Sequence, residues 1–224
     1  MENIEEAFEA ARIGNLLVIQ KFVEDDAGFV RKTDADERTA FHWACATNQM
    51  EIAAFLLFHS AEINHQDDGW SALHSSASAG HSKIVHFLLG QNAEVDLKTT
   101  SGGTPLHYAA AKGHMPCVVS LINAQAGVNA TDYYGCTPFS KACACGFVNI
   151  ADFLLKSGAN CMTKETRTGD TPLHVSVNSD DIDMCLLICQ HSPELLTRKN
   201  TEGLTPYEAA PPKLKASLKS FLDT

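Results

Sequence analysis

The chain of 224 residues is 45% apolar and 20% charged, the make-up of a folded protein with a sizeable core, which excludes a disordered or collagenous polymer. Twenty-seven acidic against seventeen basic side chains leave a formal charge of −10, so phosphate backbones and anionic lipid are repelled unless a basic patch intervenes, and no run of Lys or Arg supplies one. No apolar stretch approaches the roughly 18 residues of a membrane span, and Met1-Glu2-Asn3-Ile4-Glu5-Glu6 lacks the basic and apolar regions of a secretion signal. The expected location is cytoplasmic and nuclear, where the eight cysteines stay reduced.

Residues 3 to 34 read as a helix pair: Asn3 caps Ile4 to Ile13, Gly14 breaks the chain, and Leu16 to Glu24 forms the partner. A repeating entry then sets in. Thr39-Ala40-Phe41-His42, Ser71-Ala72-Leu73-His74, Thr104-Pro105-Leu106-His107, Thr137-Pro138-Phe139-Ser140, Thr171-Pro172-Leu173-His174 and Thr205-Pro206-Tyr207-Glu208 follow one another at steps of 32, 33, 33, 34 and 34 residues. The hydroxyl caps a helix, Pro where present at the first helical position has no N–H to waste, and Leu or Phe points into the gap between neighbouring copies. Small residues such as Ala109 and Ala110 allow close helix approach. Gly80, Gly113 and Gly146 end the first helices in a left-handed conformation.

A second helix follows in each copy, for example Ile150-Ala151-Asp152-Phe153-Leu154-Leu155. Asp67-Asp68-Gly69, Ser101-Gly102-Gly103 and Tyr133-Tyr134-Gly135 then carry turn chemistry at the tip of a projecting hairpin. Pro211-Pro212 cut the last first-helix short before Lys213 to Leu222.

This pattern resembles the ankyrin repeat over nearly the whole chain. It implies an all-α solenoid of helix-turn-helix repeats with β-hairpin loops, a single domain over 1–224 with seven repeats at about 1–36, 37–68, 69–101, 102–134, 135–168, 169–202 and 203–224. Atypical first and last copies are the expected polar end caps.

The histidines of the entry motif recur once per repeat, so they are spaced as helix latches rather than as ligands of one ion. Each is expected to bond its capping hydroxyl and a nearby carbonyl; Ser140 and Glu208 leave the fifth and seventh repeats more weakly latched. Cys185, Cys189 and His191 lack a fourth ligand, and Cys143 and Cys45 fall at a core position, with Cys145 outward. No nucleophile, base and orienting partner converge, so no enzyme, cofactor or metal is expected.

Register places hairpin tips and the exposed side of the first helices on the surface that solenoids offer to partners. The candidate binding residues are Asp34, Asp36, Arg38, Trp43, Asp67, Asp68, Trp70, Tyr108, Lys112, Tyr133, Tyr134 and Lys141. Partly exposed rings supply anchors, and mixed charge selects a protein rather than a nucleic acid or a membrane.

Thr33 to Cys45, Asp67 to Gly80 and Thr104 to Lys112 are further similar to the gankyrin-like family, ankyrin chaperones of proteasome regulatory-particle assembly. That resemblance implies a monomer binding the C-terminal domain of one AAA ATPase subunit of the proteasome base. Arg38 and Lys112 would then meet acidic side chains, and Asp36 and Asp68 basic ones. Vertebrate members carry a Leu-x-Cys-x-Glu segment associated with retinoblastoma-protein binding, where this chain has Val175-Ser176-Val177-Asn178-Ser179; that activity is not carried over. The alternatives are a cell-cycle regulator of a cyclin-dependent kinase, or a general ankyrin adaptor.

Overall fold

The computed structural model describes residues 4–222; Asn3, the expected cap of the first helix, lies outside them. Among the described residues are fourteen α-helices in seven consecutive pairs, three short 3-10 helices and one two-stranded hairpin. The chain forms two compact units, Met1–Pro105 with Val119–Ala126, and Leu106–Val118 with Gly127–Thr224.

The first unit starts with α1 (Ile4–Ile13) and α2 (Leu16–Asp25), separated by Gly14 at φ +90°. Asn15 caps α2 through its side chain, which accepts from the Val18 N–H. After a 3-10 turn at Ala27–Arg31 come α3 (Ala40–Ala46) and α4 (Met50–Phe58), then β1 (Gln66–Asp67) and β2 (Trp70–Ser71), then α5 (Ala72–Ala79) and α6 (Ser82–Gly90). α3 packs against both α1 and α5. Close approach is possible because the facing residues are small: Ala7, Ala11, Ala44 and Ala77 are wholly buried beside Phe41, Ile52, Leu56 and Leu73.

The next helices along the chain are α7 (Pro105–Ala111) and α8 (Met115–Asn123). Within the second unit α9 (Pro138–Ala144) pairs with α10 (Val148–Lys156), and α11 (Pro172–Asn178) with α12 (Ile182–His191). A 3-10 turn at Pro193–Thr197 leads to α13 (Pro206–Ala209) and α14 (Pro212–Leu218). The prolines at 211 and 212 hold α13 to four residues, and α14 gives way to a 3-10 turn at Lys219–Phe221. Leu106, Phe139, Ile150, Leu154, Leu173 and Ile188 form the core of this unit.

First helices end where the sequence changes backbone hand. Gly80, Gly113 and Gly146 adopt φ of +79°, +80° and +74°, and Asn48 and Asp180 take the same region at +64° and +52°, which short polar side chains tolerate better than others.

Where the entry motif carries histidine, it ties its copy to backbone further along the chain. In Thr39–His42, Ser71–His74 and Thr171–His174 the backbone N–H of the capping residue donates to the imidazole Nδ1. An N–H can only donate, so Nδ1 is bare and the ring proton sits on Nε2. Nε2 then donates to a carbonyl further along: His74 to Gly103 at 3.2 Å, His107 to Cys136 at 3.0 Å and His174 to Leu204 at 3.1 Å, each the residue before the next cap. His42 instead reaches the His65 carbonyl at 3.0 Å. Ser140 and Glu208 close only their own caps: Ser140 Oγ accepts from Thr137 N–H, and the Glu208 carboxylate from Thr205 N–H and Oγ1.

Candidate functional site

In the first unit the hairpin tips follow two designs. Asp34 and Arg38 flank a three-residue loop: Asp34 N–H donates to the Arg38 carbonyl, Glu37 N–H to the Asp34 carbonyl, and Glu37 takes φ +62°. Asp34 Oδ1 accepts from the N–H groups of Asp36 and Arg38, each at 2.9 Å. The next tip is one residue shorter. Asp67 pairs with Trp70 and Gln66 with Ser71 across a two-residue loop, Asp68 and Gly69, both at positive φ (+41° and +83°). This is the Asp-Gly hairpin turn whose twist matches paired strands. A Cβ at Gly69 would lie 2.6 Å from Thr100 N.

The charged and aromatic side chains of these tips form one network. Asp34 Oδ2 accepts the Trp43 indole N–H at 2.7 Å. The Arg38 guanidinium lies over the Trp43 ring, 5.0 Å from its centroid, and its Nε donates to Asp67 Oδ2 at 3.0 Å. Asp67 therefore differs from the exposed tip residue expected: it is buried, with its carboxylate turned to Arg38. Burial raises its pKa above the ordinary value, and the Arg38 charge only partly opposes that.

Between the two tips lies a cleft of about 720 Å³ lined by Asp36, Glu37, Arg38, Trp43, Asp67, Asp68, Trp70 and Ser75. His42, Ala35 and Ala46 complete the lining; sequence reasoning assigned the two alanines nothing, and their only signal is small size. Asp36, Glu37 and Asp68 are exposed and make no ion pair among the described residues. Both tryptophans are partly exposed. The cleft is thus an acidic rim around two indoles, and its single cation already has a partner.

The second unit repeats the Asp34 device. Asp132 Oδ1 accepts from the N–H groups of Tyr134 and Cys136, each at 2.9 Å, while Oδ2 meets Lys141 Nζ at 2.8 Å. Trp43 and Lys141 each stand nine residues after their tip Asp, so one register position serves both. Burial works against ionisation of Asp132, but the Lys141, Cys136 and Tyr134 hydrogen bonds outweigh it and hold the carboxyl below its usual range. Lys141 is displaced upward: burial opposes its charge, and Asp132 restores more than burial removes. Lys141 is thus engaged within the protein. Tyr133 and Tyr134 are exposed at 69% and 58%, Tyr108 is half-buried on α7, and Lys112 is exposed just beyond that helix.

Burial removes nucleophilic character from Cys117, Cys143, Cys185 and Cys189. Burial pushes the Cys185 and Cys189 thiols to about 12 and Cys117 to about 11, and raises Cys143 strongly. Cys145 is exposed and Cys136 half-buried. Among the described residues no group of three His, Cys, Asp or Glu is placed to hold a metal, and no helix is long and apolar enough to cross a membrane.

Comparison with known proteins agrees with this architecture. Ankyrin repeats, as a family description of three copies, match residues 7–99 and 87–165. Ankyrin repeat and SAM domain-containing protein 6 of Rattus norvegicus is 31% identical over 99 residues, 43% of this chain and 11% of that protein. The 26S proteasome non-ATPase regulatory subunit 10 of Dictyostelium discoideum is 36% identical over 87 residues, 38% of each chain. The chain thus spans about a tenth and under two-fifths of these two relatives. The probable 26S proteasome regulatory subunit p28 of Saccharomyces cerevisiae is 25% identical over 193 residues, 84% of this chain and 70% of that one. The crystal structure of the human ASB11 ankyrin repeat domain superposes with a TM-score of 0.84 over 96% of both chains at 24% identity. With its capped helix pairs, histidine latches and hairpin tips, the chain belongs to the ankyrin-repeat family.

Proposed function

We propose that this protein is a non-catalytic chaperone of proteasome regulatory-particle assembly, working in cytoplasm and nucleus as one repeat domain. It binds the C-terminal domain of an AAA ATPase subunit of the base. Support comes from the relatives named as proteasome regulatory subunits, one of them aligned over most of both chains. The observation that carries the reading is the acid-rimmed cleft between Trp43 and Trp70: exposed Asp36, Glu37 and Asp68 attract basic side chains, and the indoles supply desolvated contact area.

Arg38 is spoken for by Asp67, so reversing it would perturb the fold as well as the surface. Asp36→Lys with Asp68→Lys is the cleaner probe, since both side chains are exposed and unpaired. Capture of the isolated ATPase C-terminal domain is expected to weaken about tenfold and to lose much of its salt dependence; Lys112→Glu tests the expected basic contact in the second unit. Undiminished capture by the double variant refutes the site. Retention of a cyclin-dependent kinase without proteasome subunits would refute the function.

A further inference from the structure

Position 140 is the one place within the second unit where a tetrad followed by another tetrad lacks its histidine. Ser140 takes over the local half of the imidazole's role, since its Oγ accepts from Thr137 N–H at 2.8 Å and donates to the Thr137 carbonyl at 2.9 Å. The distal half is left undone. By the register of Gly103, Cys136 and Leu204, the carbonyl an imidazole at 140 would meet belongs to Asp170, the residue before the cap Thr171. Ser140 and Asp170 both line a cavity of about 150 Å³, together with Cys136, Thr163, Pro172 and the exposed Ala144. Thr163 Oγ1 is buried without a hydrogen-bond partner. At ~30 Å³ per water the space exceeds what one ordered water fills, and it suits a five-membered ring.

We propose that this cavity is a binding site for a single neutral imidazole ring. The ring N–H donates to the Asp170 carbonyl, and its bare nitrogen accepts from the orphaned Thr163 hydroxyl. The ring binds in its neutral form, whose one donor and one acceptor match the Asp170 carbonyl and the Thr163 hydroxyl, and the charged groups of the walls are engaged elsewhere. Lys141 is paired with Asp132, the Glu165 carboxylate accepts the Thr168 hydroxyl, and the Asp170 carboxylate accepts Asn200 Nδ2 at 2.8 Å. The Lys164 ammonium donates to the Lys199 carbonyl. The sister latches in the same chain show that this backbone register suits an imidazole.

The test is an amide NMR titration of the whole protein with 4-methylimidazole, the histidine side-chain analogue, above the ring's own pKa. Saturable shifts are expected at Cys136, Ala144 and Asp170, with a dissociation constant of about 1 mM, as suits so few heavy atoms. Ser140→His, which fills the space from within, should abolish them, and Ala144→Met, which leaves the cap intact, should weaken them at least several-fold. N-acetylhistidine amide serves as a second arm: saturable binding by it assigns the site to a histidine presented by a polypeptide, and binding by the free ring only assigns it to a small ligand. Absence of saturable shifts with either probe overturns the proposal, as does equal binding by toluene or undiminished binding by Ser140→His.

Discussion

Acidification should unlatch the first unit at His42. That imidazole is buried, and desolvation lowers its pKa from the ordinary 6.5 to about 4, with the His65 and Arg38 charges helping and the His65 carbonyl bond and Asp34 opposing. Between those two values the unfolded chain carries a proton that the folded one refuses. Stability is therefore intact above pH 6.5 and falls as the pH drops toward 4. One proton corresponds to about 1.4 kcal/mol per pH unit, so some 2.5 units amount to about 3 kcal/mol. Many carboxylates titrate over the same range, and a difference measurement removes them. Urea unfolding of the wild type and of His42→Gln is followed from pH 7 to pH 4. The variant has lost the latch at neutral pH, so it starts weaker, and the gap should close by about 3 kcal/mol as the wild-type advantage disappears. Amide exchange in α3 should track the same window. A gap that stays constant with pH refutes the argument, because it would mean that His42 takes up its proton equally in both states.

Gly113→Ala should cost about 2 kcal/mol or more, since φ is +80° and the new Cβ would lie 2.5 Å from a Phe147 ring carbon; Gly158→Ala, at φ +92° with open space around it, should cost only about 1 kcal/mol. Comparison of urea midpoints separates the two. Arg38→Met leaves the Asp67 carboxylate buried without its cation and is expected to destabilise by about 2 kcal/mol, with Asp67→Asn in the same chain recovering most of the loss in a double-mutant cycle. Glu37→Gly should raise stability by about 0.5–1 kcal/mol, measured by thermal unfolding, while weakening capture of a basic partner. Ser140→His, apart from its use as a blocked site, should stabilise by about 1–2 kcal/mol through one added hydrogen bond and a filled void.

The period, the caps and the left-handed helix ends were legible because each depends on a local rule: a hydroxyl that accepts from the third N–H, a Pro with no donor to lose, a Gly or Asn where the backbone changes hand. The histidine latch was legible as a bond to the cap. A second bond to a carbonyl was expected too, but which carbonyl was not legible, since the receiving one lies 29 or 30 residues away for His74, His107 and His174. The first step of 32 residues was visible as a number, yet its effect was hidden. Shortening that loop by one residue converts the tip into a two-residue turn and frees the Asp67 carboxylate for Arg38, whereas Asp34 and Asp132 spend theirs on the N–H groups of their own longer loops. Which surface charges were already neutralised depended on that exchange, and composition could not reveal it.

The acids at the cleft show where local stability has been given up. Among the three-residue tips, the third loop position is Gly102, Gly135 and Gly203, at φ of about +80°, +76° and +80°; at the Asp34 tip a glutamate holds it at +62°. A non-glycine residue there costs about 1 kcal/mol, which surrounding structure must offset. Glu37 forms no ion pair among the described residues that would repay the cost, and it lines the cleft beside Asp36. Trp43, meanwhile, is fixed by Asp34 on one side and Arg38 on the other. Strain is thus accepted where it adds an acid to the rim, and hydrogen bonds are concentrated where they immobilise the ring beneath it. A cleft ordered before the partner arrives loses less side-chain entropy on binding, so the internal engagement of Arg38 and Asp34 strengthens the case for a basic visitor at this site even though it removes them from the set of direct contacts.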